Sequence, residues 1–314
     1  MRLLRTLDRV FRPLALLGAV GGLGAALYAE RGGIAAYPWR LSWPAFVGAV
    51  LLFALGPLAG AAVFRILLHD LTGETPIAAS TRVWMRAFLA RYVPSGALTM
   101  AVRLRGRGQL HATARQIWRA SLVEQLVSAV GGAAAATAGL VVAREHVPLA
   151  APLLLGGGLL VAVVLAHRRR AVALASVVTC CAWVTTGAAA WLIVTAMTPS
   201  TQGVFFVTGA YAFAWLLGFV VVFAPSGLGI REATLIALLS PYLGTAPATL
   251  VAVTLRLANT VGDLLAFCAV EAATALAPSP SAGPGSTPSD RKARPEVPHR
   301  PHPYARHVDQ RRTA

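Results

Sequence analysis

Long apolar stretches, separated by short polar segments, recur along the first 275 positions of the chain. Each is about 18 residues or more, enough for a helix to cross a hydrocarbon core about 30 Å thick. Unpaired backbone polar groups are costly in lipid, so these stretches should be helical. The pattern predicts an all-α polytopic transmembrane helical bundle of about seven spans, with six to eight as the range. The candidate spans are Pro13 to Ala29, Trp43 to Leu68, Trp118 to Val142, Leu149 to Ala166, Ala171 to Met197, Val204 to Phe223 and Pro247 to Ala273.

Two Pro-Ser-Gly sequences interrupt this pattern, at residues 94–96 and 225–227. Proline and glycine break helices, and membrane proteins use such breaks where backbone lines a cavity. The first break predicts a re-entrant hairpin within residues 81–100. The second precedes a short apolar helix from about Ile230 to Leu239. If that helix is re-entrant, the C-terminus lies outside; if it crosses as an eighth span, the C-terminus lies inside.

The arginines are grouped in alternate connecting segments. Four precede the first span, eight lie between Arg82 and Arg119, and three follow the fourth span at 168–170. Cytoplasmic loops carry the excess of basic residues in membrane proteins. The distribution predicts a multi-pass protein of the cell membrane with a cytoplasmic N-terminus.

Composition agrees with a membrane protein and narrows the chemistry. The chain is 56% hydrophobic and 13% charged, and its mean hydropathy is +0.64. The net charge of +16 is explained by loop topology, so we expect no nucleic-acid partner. The cysteines and acidic residues show no metal-ligand spacing, and we expect no cofactor. Residues 1–276 form the predicted transmembrane domain, and the Pro/Ser/Arg-rich residues 277–314 form a predicted disordered tail.

Ionisable side chains within apolar helices are costly and need a reason. Glu124 shares one helical stripe with Ser121 and Ser128. This stripe either faces a substrate cavity or forms hydrogen bonds between helices, and both interpretations remain open. Arg256 and Asp263 lie on one face of the last span. Arg256 is expected to attract a lipid phosphate with Asp263 as its resting partner; the alternative is an ion pair buried between helices.

The segment from Phe219 to Leu239, FVVVFAPSGLGIREATLIALL, joins a span to the short helix. If Ile230 begins that helix, Arg231 and Glu232 lie in its first turn, where free amides and the helix dipole favour an anion. A phosphate headgroup would fit there. The alternative is an interfacial turn in which Arg231 reaches water and Glu232 caps the helix.

The stretch APSGLGIREA, from Ala224 to Ala233, resembles the Pro-x-Gly-x-Gly-x-Arg-Glu segment of the flippase-like family that includes the transmembrane part of lysylphosphatidylglycerol synthases. The segment from Arg86 to Arg107, containing RYVPSG, resembles that family's earlier Pro-Gly segment and its downstream arginine. The resemblance covers approximately residues 10 to 275. Positions matched to the later motif are Pro225, Gly227, Gly229, Arg231 and Glu232, and those matched to the earlier one are Pro94, Gly96 and Arg103.

The resemblance implies that the chain handles a polar lipid, most simply by translocating an anionic phospholipid or polyprenyl-phosphate-linked lipid between leaflets. Its expected partners are anionic or phosphate-bearing membrane lipids. Arg231 and Arg256 are expected to attract phosphate, with Glu232, Glu124 and Asp263 as counter-charges. The soluble aminoacyl-transfer domain of the synthases is not expected here, so we predict that the chain is not an enzyme. The alternative is a non-catalytic membrane subunit of a lipid-modifying or glycosyl-transferring complex, with a membrane or cytoplasmic enzyme partner.

Overall fold

The computed structural model of the chain describes residues 24, 28–38, 41–92, 98–142, 170–198, 202–220 and 229–276. All regular elements within these ranges are helical, which confirms the predicted all-α fold class. Short 3-10 turns at Ala90–Tyr92 and Gly106–Gly108 follow the third and fourth α-helices. The α-helices are α1 (Arg31–Ala36), α2 (Trp43–Thr72), α3 (Ile77–Leu89), α4 (Leu98–Arg105), α5 (Ala114–Val142), α6 (Arg170–Met197), α7 (Val204–Val220), α8 (Ile230–Leu243) and α9 (Thr245–Leu276).

The predicted spans that fall within these ranges correspond to α2, α5, α6, α7 and α9, with ends that agree to within about one helical turn. Helices α2, α6 and α9 are long and apolar enough to cross a membrane, and α7 is a shorter apolar helix. Helix α5 has 29 residues. Most of the predicted first span, the predicted fourth span and the predicted tail lie outside the described residues and stay predictions.

Helices are described on both sides of each Pro-Ser-Gly break, although residues 93–97 and 221–228 themselves lie outside the described part. Helices α3 and α4 flank the first break and contact one another, and α7 and α8 do the same at the second. At about 1.5 Å per residue, the 14 residues of α8 reach about 21 Å, less than the thickness of the hydrocarbon core. Whether either segment is re-entrant stays a prediction.

Glycines allow close backbone contacts between several of the described helices. A Cβ atom added to Gly139 of α5 would lie 2.4 Å from the Phe205 carbonyl oxygen and 2.6 Å from the Gly209 Cα atom of α7. A Cβ atom added to Gly262 of α9 would lie 2.9 Å from the Val50 carbonyl oxygen of α2. Small residues at helix interfaces are typical of membrane bundles, where close backbone packing replaces the hydrophobic effect.

Large apolar side chains cover much of the outer surface of the long helices. Leu51 and Leu55 of α2 and Leu264 and Leu265 of α9 are all exposed. Such a surface is unfavourable in water and suits lipid, because acyl chains surround it there without an ordering cost for water. Several ionisable side chains are buried inside, and they surround a cavity.

Candidate functional site

A cavity of about 470 Å³ lies within the bundle, and every helix from α2 to α9 contributes to its lining. Aromatic rings form much of the surface. Trp183 and Trp215 pack edge to face with ring centroids 5.2 Å apart, and Phe219 stacks on Trp215 at the same distance. In α3, Trp84 and Phe88 also stack, with their ring centroids 4.8 Å apart. The lining is therefore mainly apolar, as ligand cavities usually are, and its few charged groups determine what it can bind.

Arg103 and Glu124 form a buried ion pair at the cavity. Arg103 Nη1 donates to Glu124 Oε2 at 2.7 Å, and Nη2 donates to Oε1 at 3.1 Å. The Trp84 indole also donates to Oε1, and the Ser121 hydroxyl accepts from Arg103 Nη1. Both charged side chains are 4% exposed. The pair connects α4 to α5, and it supports the hydrogen-bonding interpretation of the Glu124 stripe, whose Ser128 also lines the cavity.

Asp263 receives two hydrogen bonds from the 3-10 turn that follows α3. Arg91 Nη2 and the Tyr92 hydroxyl both donate to Asp263 Oδ2, each at 2.5 Å. The Arg91 guanidinium also lies over the Phe88 ring, 3.8 Å from its centroid. The turn immediately before the first Pro-Ser-Gly break is thereby attached to the middle of α9.

The second motif places an acidic cap at the start of α8. Gly229 has a φ of 84°, a backbone conformation that glycine adopts without the steric cost of a Cβ atom. Its N–H donates to Glu232 Oε2 at 2.7 Å, so Glu232 caps the helix as the sequence alternative proposed. Glu232 Oε1 lies 3.6 Å from Arg256 Nη1 of α9. The carboxylate is therefore both a cap and a counter-charge.

Arg231 lines the cavity beside a neutral partner. Its Nη2 donates to the Tyr211 hydroxyl at 3.1 Å, and its guanidinium carbon lies 5.5 Å from the centre of the Tyr211 ring. The other two arginines of the lining, Arg91 and Arg103, each bind a carboxylate. Within the part of the chain that the structure describes, Arg231 is thus the lining arginine whose hydrogen bond goes to an uncharged group.

The structure brings most of the predicted site residues together. Arg103, Glu124, Arg231 and Asp263 line the cavity, and Glu232 and Arg256 form the adjoining ion pair. The expected pairing of Arg256 with Asp263 is wrong, because Arg256 lies beside Glu232 of α8 and Asp263 binds Arg91; the alternative of ion pairs buried between helices agrees with the structure. Arg256 and Asp263 are seven residues apart, which is about two turns or 10 Å along the helix axis. This distance is too long for a close contact within one helix. The predicted break residues outside the described part are Pro94, Gly96, Pro225 and Gly227.

Four residues that make the polar contacts described above were not predicted from the sequence: Arg91, Tyr92, Trp84 and Tyr211. Arg91 and Tyr92 carry a usable signal, since they stand directly before the break in RYVPSG. Trp84 and Tyr211 lie in apolar segments, where an aromatic ring is ordinarily a packing residue. Only the fold shows that their polar atoms face a carboxylate and an arginine.

Comparison with known proteins supports the resemblance over part of the chain. Residues 163–266 match the family described as the lysylphosphatidylglycerol synthase TM region. No curated protein matches the chain. The matched stretch contains the α8 motif with Arg231 and Glu232 and the α9 residues Arg256 and Asp263, whereas the earlier segment with Arg103 lies before it. The predicted family resemblance is confirmed over these residues, and the chain is a membrane protein that is similar there to the transmembrane region of a lipid synthase.

Proposed function

We propose that this membrane chain, which is similar to the transmembrane region of a lipid synthase, translocates an anionic lipid between leaflets. The headgroup, on a phospholipid or a polyprenyl phosphate, occupies the cavity while the acyl or prenyl chains stay in the bilayer. The observation that carries this proposal is the Arg231 guanidinium at the cavity, hydrogen-bonded to the neutral Tyr211 hydroxyl. A guanidinium in that state retains donors for a phosphate, which it binds in a bidentate manner.

The other charged groups suit a headgroup that must be released as well as bound. Arg91 reaches the same cavity but is bound to Asp263, and Arg103 is bound to Glu124. An arginine that is already paired with a carboxylate attracts a second anion more weakly, because the carboxylate offsets its positive charge. A site with one available arginine and two engaged ones therefore binds phosphate without holding it irreversibly.

The test is lipid exchange in proteoliposomes that contain fluorescent phosphatidylglycerol or a fluorescent polyprenyl phosphate. Chemical quenching from outside measures the rate at which reporters change leaflet. We expect wild type to exceed empty vesicles, and Arg231→Ala to fall to the rate of empty vesicles while remaining monodisperse. Arg119→Ala is the matched control, because Arg119 is an exposed arginine of α5 outside the cavity lining.

Equal rates in wild type and empty vesicles would contradict translocation of these lipids by the chain alone. That outcome would favour the alternative of a membrane subunit that needs an enzyme partner. Loss of exchange in Arg119→Ala as well as in Arg231→Ala would instead contradict the specific role given to Arg231.

A further inference from the structure

All three arginines of α3 and of the 3-10 turn that follows it form hydrogen bonds with α9. Arg82 donates to the hydroxyl of Thr274 at 3.0 Å and to its carbonyl oxygen at 3.1 Å. Arg86 donates two bonds of 2.7 Å to Glu271. Arg91, in the turn, binds the buried α9 carboxylate described above. The α9 partners follow in reverse order, so the two segments run antiparallel. We call this line of three arginines and their partners the α3–α9 seam.

The seam leads from the outer surface of the bundle to the cavity. The Arg86 and Glu271 side chains are 54% and 28% exposed. At the other end Asp263 is 1% exposed, and it lines the cavity together with Arg91 and Phe88. Asp263 and Thr274 lie about three turns, or 16 Å, apart along α9. The seam therefore covers about half of the hydrocarbon thickness, and one end of it is part of the cavity wall.

Both helices of the seam pack closely on α2. A Cβ atom added to Gly60 of α2 would lie 2.4 Å from the Trp84 ring of α3. Gly262 of α9 lies against the α2 backbone, as described above. Across the seam, the described hydrogen bonds run through long arginine side chains, which have many rotamers and can exchange partners. The seam can therefore open while α3 and α9 both keep their contacts with α2.

We propose that the α3–α9 seam is the gate through which the cavity opens to the bilayer, and that its three arginines hold this gate closed. The inference rests on the proposed function, because the cavity needs a gate only if a ligand enters it from the bilayer. The face of α9 beside the seam carries the exposed side chains of Leu264 and Leu265. A gap at the seam would therefore connect the cavity with the surrounding acyl chains.

The bonds of the seam differ in strength, and the strongest lies next to the cavity. The Arg86–Glu271 pair is exposed and contributes little, because water competes for both groups. Asp263 is buried and receives bonds from both Arg91 and Tyr92, so losing them leaves a carboxylate without partners at a larger cost. The closed state therefore depends mainly on Asp263. An anion in the cavity competes with this carboxylate for Arg91 and favours opening.

The first test measures distances across the seam by double electron–electron resonance on the full chain in lipid nanodiscs. One spin label is placed on α3 at Ala78→Cys, an exposed position. The other is placed on the native Cys268 of α9, which is exposed as well. Cys180→Ser and Cys181→Ser remove the exposed cysteines of α6. We expect a short and a longer distance, one for the closed gate and one for the open gate.

A matched pair of labels tests whether any change is confined to the seam. Leu122→Cys of α5 and Val204→Cys of α7 are exposed positions on two helices that meet backbone against backbone. All three native cysteines are replaced by serine in this variant. We expect a single distance for this pair. Equal changes in both label pairs would overturn the inference, because the whole bundle would then be deforming.

Two substitutions weaken the seam from its two ends. Glu271→Gln should raise the ratio of the longer to the shorter seam distance about two- to fivefold, the effect expected of an exposed ion pair. Asp263→Asn should raise it at least about tenfold, because the buried charge is removed. Glu74→Gln, an exposed carboxylate outside the seam, is the control and should give the wild-type ratio. If Asp263→Asn does not fold, Glu271→Gln decides. A wild-type ratio in the seam variants would overturn the inference.

The second test links the seam and measures leaflet exchange. Arg86→Cys and Glu271→Cys are joined by a short, reducible bis-thiol reagent in a chain whose native cysteines are replaced by serine. Exchange should fall to the rate of empty vesicles and return after reduction. Undiminished exchange in the linked chain would overturn the gate and keep the proposed function. Absence of exchange in the unlinked wild type would contradict the proposed function, and the distances across the seam would then decide the gate alone.

Discussion

Removal of one member of the Arg103–Glu124 pair should be the most destabilising polar substitution in the described bundle. Glu124→Leu leaves the Arg103 guanidinium, whose side chain is 4% exposed, without its two carboxylate bonds. Breaking a buried pair from one side costs about 3–5 kcal/mol. The Trp84 indole also loses its acceptor, which adds about 1–3 kcal/mol. We therefore expect a loss of about 4 kcal/mol or more in the free energy of unfolding.

The assay is reversible unfolding in mixed micelles by titration with a denaturing detergent, applied to a double-mutant cycle. Arg103→Met should cost a similar amount, because it leaves the Glu124 carboxylate buried. The double variant removes both charges and should be more stable than either single variant, since an apolar pair of similar volume often replaces a buried ion pair at little cost. Additive losses, or a Glu124→Leu cost below about 1 kcal/mol, would refute a buried, coupled pair.

Two further predictions concern packing and the exposed ion pair. Gly209→Leu should prevent recovery of monodisperse protein in size-exclusion chromatography, because even a Cβ atom there would lie 2.8 Å from the Leu140 backbone nitrogen. Gly203→Leu is the control and should purify normally, because a Cβ atom at that position meets nothing within 4 Å. Arg86→Ala should lower the free energy of unfolding by at most about 1 kcal/mol in the same detergent titration, because the Arg86 and Glu271 side chains are 54% and 28% exposed; a larger loss would contradict a surface pair.

Much of the fold was predictable because few backbone conformations satisfy their hydrogen bonds in lipid. An apolar run of sufficient length has to be helical, so α2, α5, α6, α7 and α9 could be placed from hydropathy alone. The start of α8 at Ile230 was also predictable, because a short apolar run follows the helix-breaking Pro-Ser-Gly sequence at residues 225–227.

The partners of the buried charges could not be predicted in the same way. Arg256 and Asp263 share a helix face, which suggested that they bind each other. The partner of Asp263 is instead Arg91, which is 172 positions away in sequence. The periodicity of one helix cannot predict a contact with such a distant residue. Only the three-dimensional arrangement brings the turn with Arg91 against α9.

The contact between Gly139 and Gly209 restricts how the bundle can deform. At this contact the backbones of α5 and α7 lie against each other, and no side chain stands between them there whose rotamers would absorb sliding or rotation. The two helices should therefore move as one rigid body, and the distance between Glu124 and Tyr211, one on each, stays nearly constant. Opening of the cavity toward a leaflet is then expected from displacement of the other lining helices, such as the short helices α3, α4 and α8, relative to this pair.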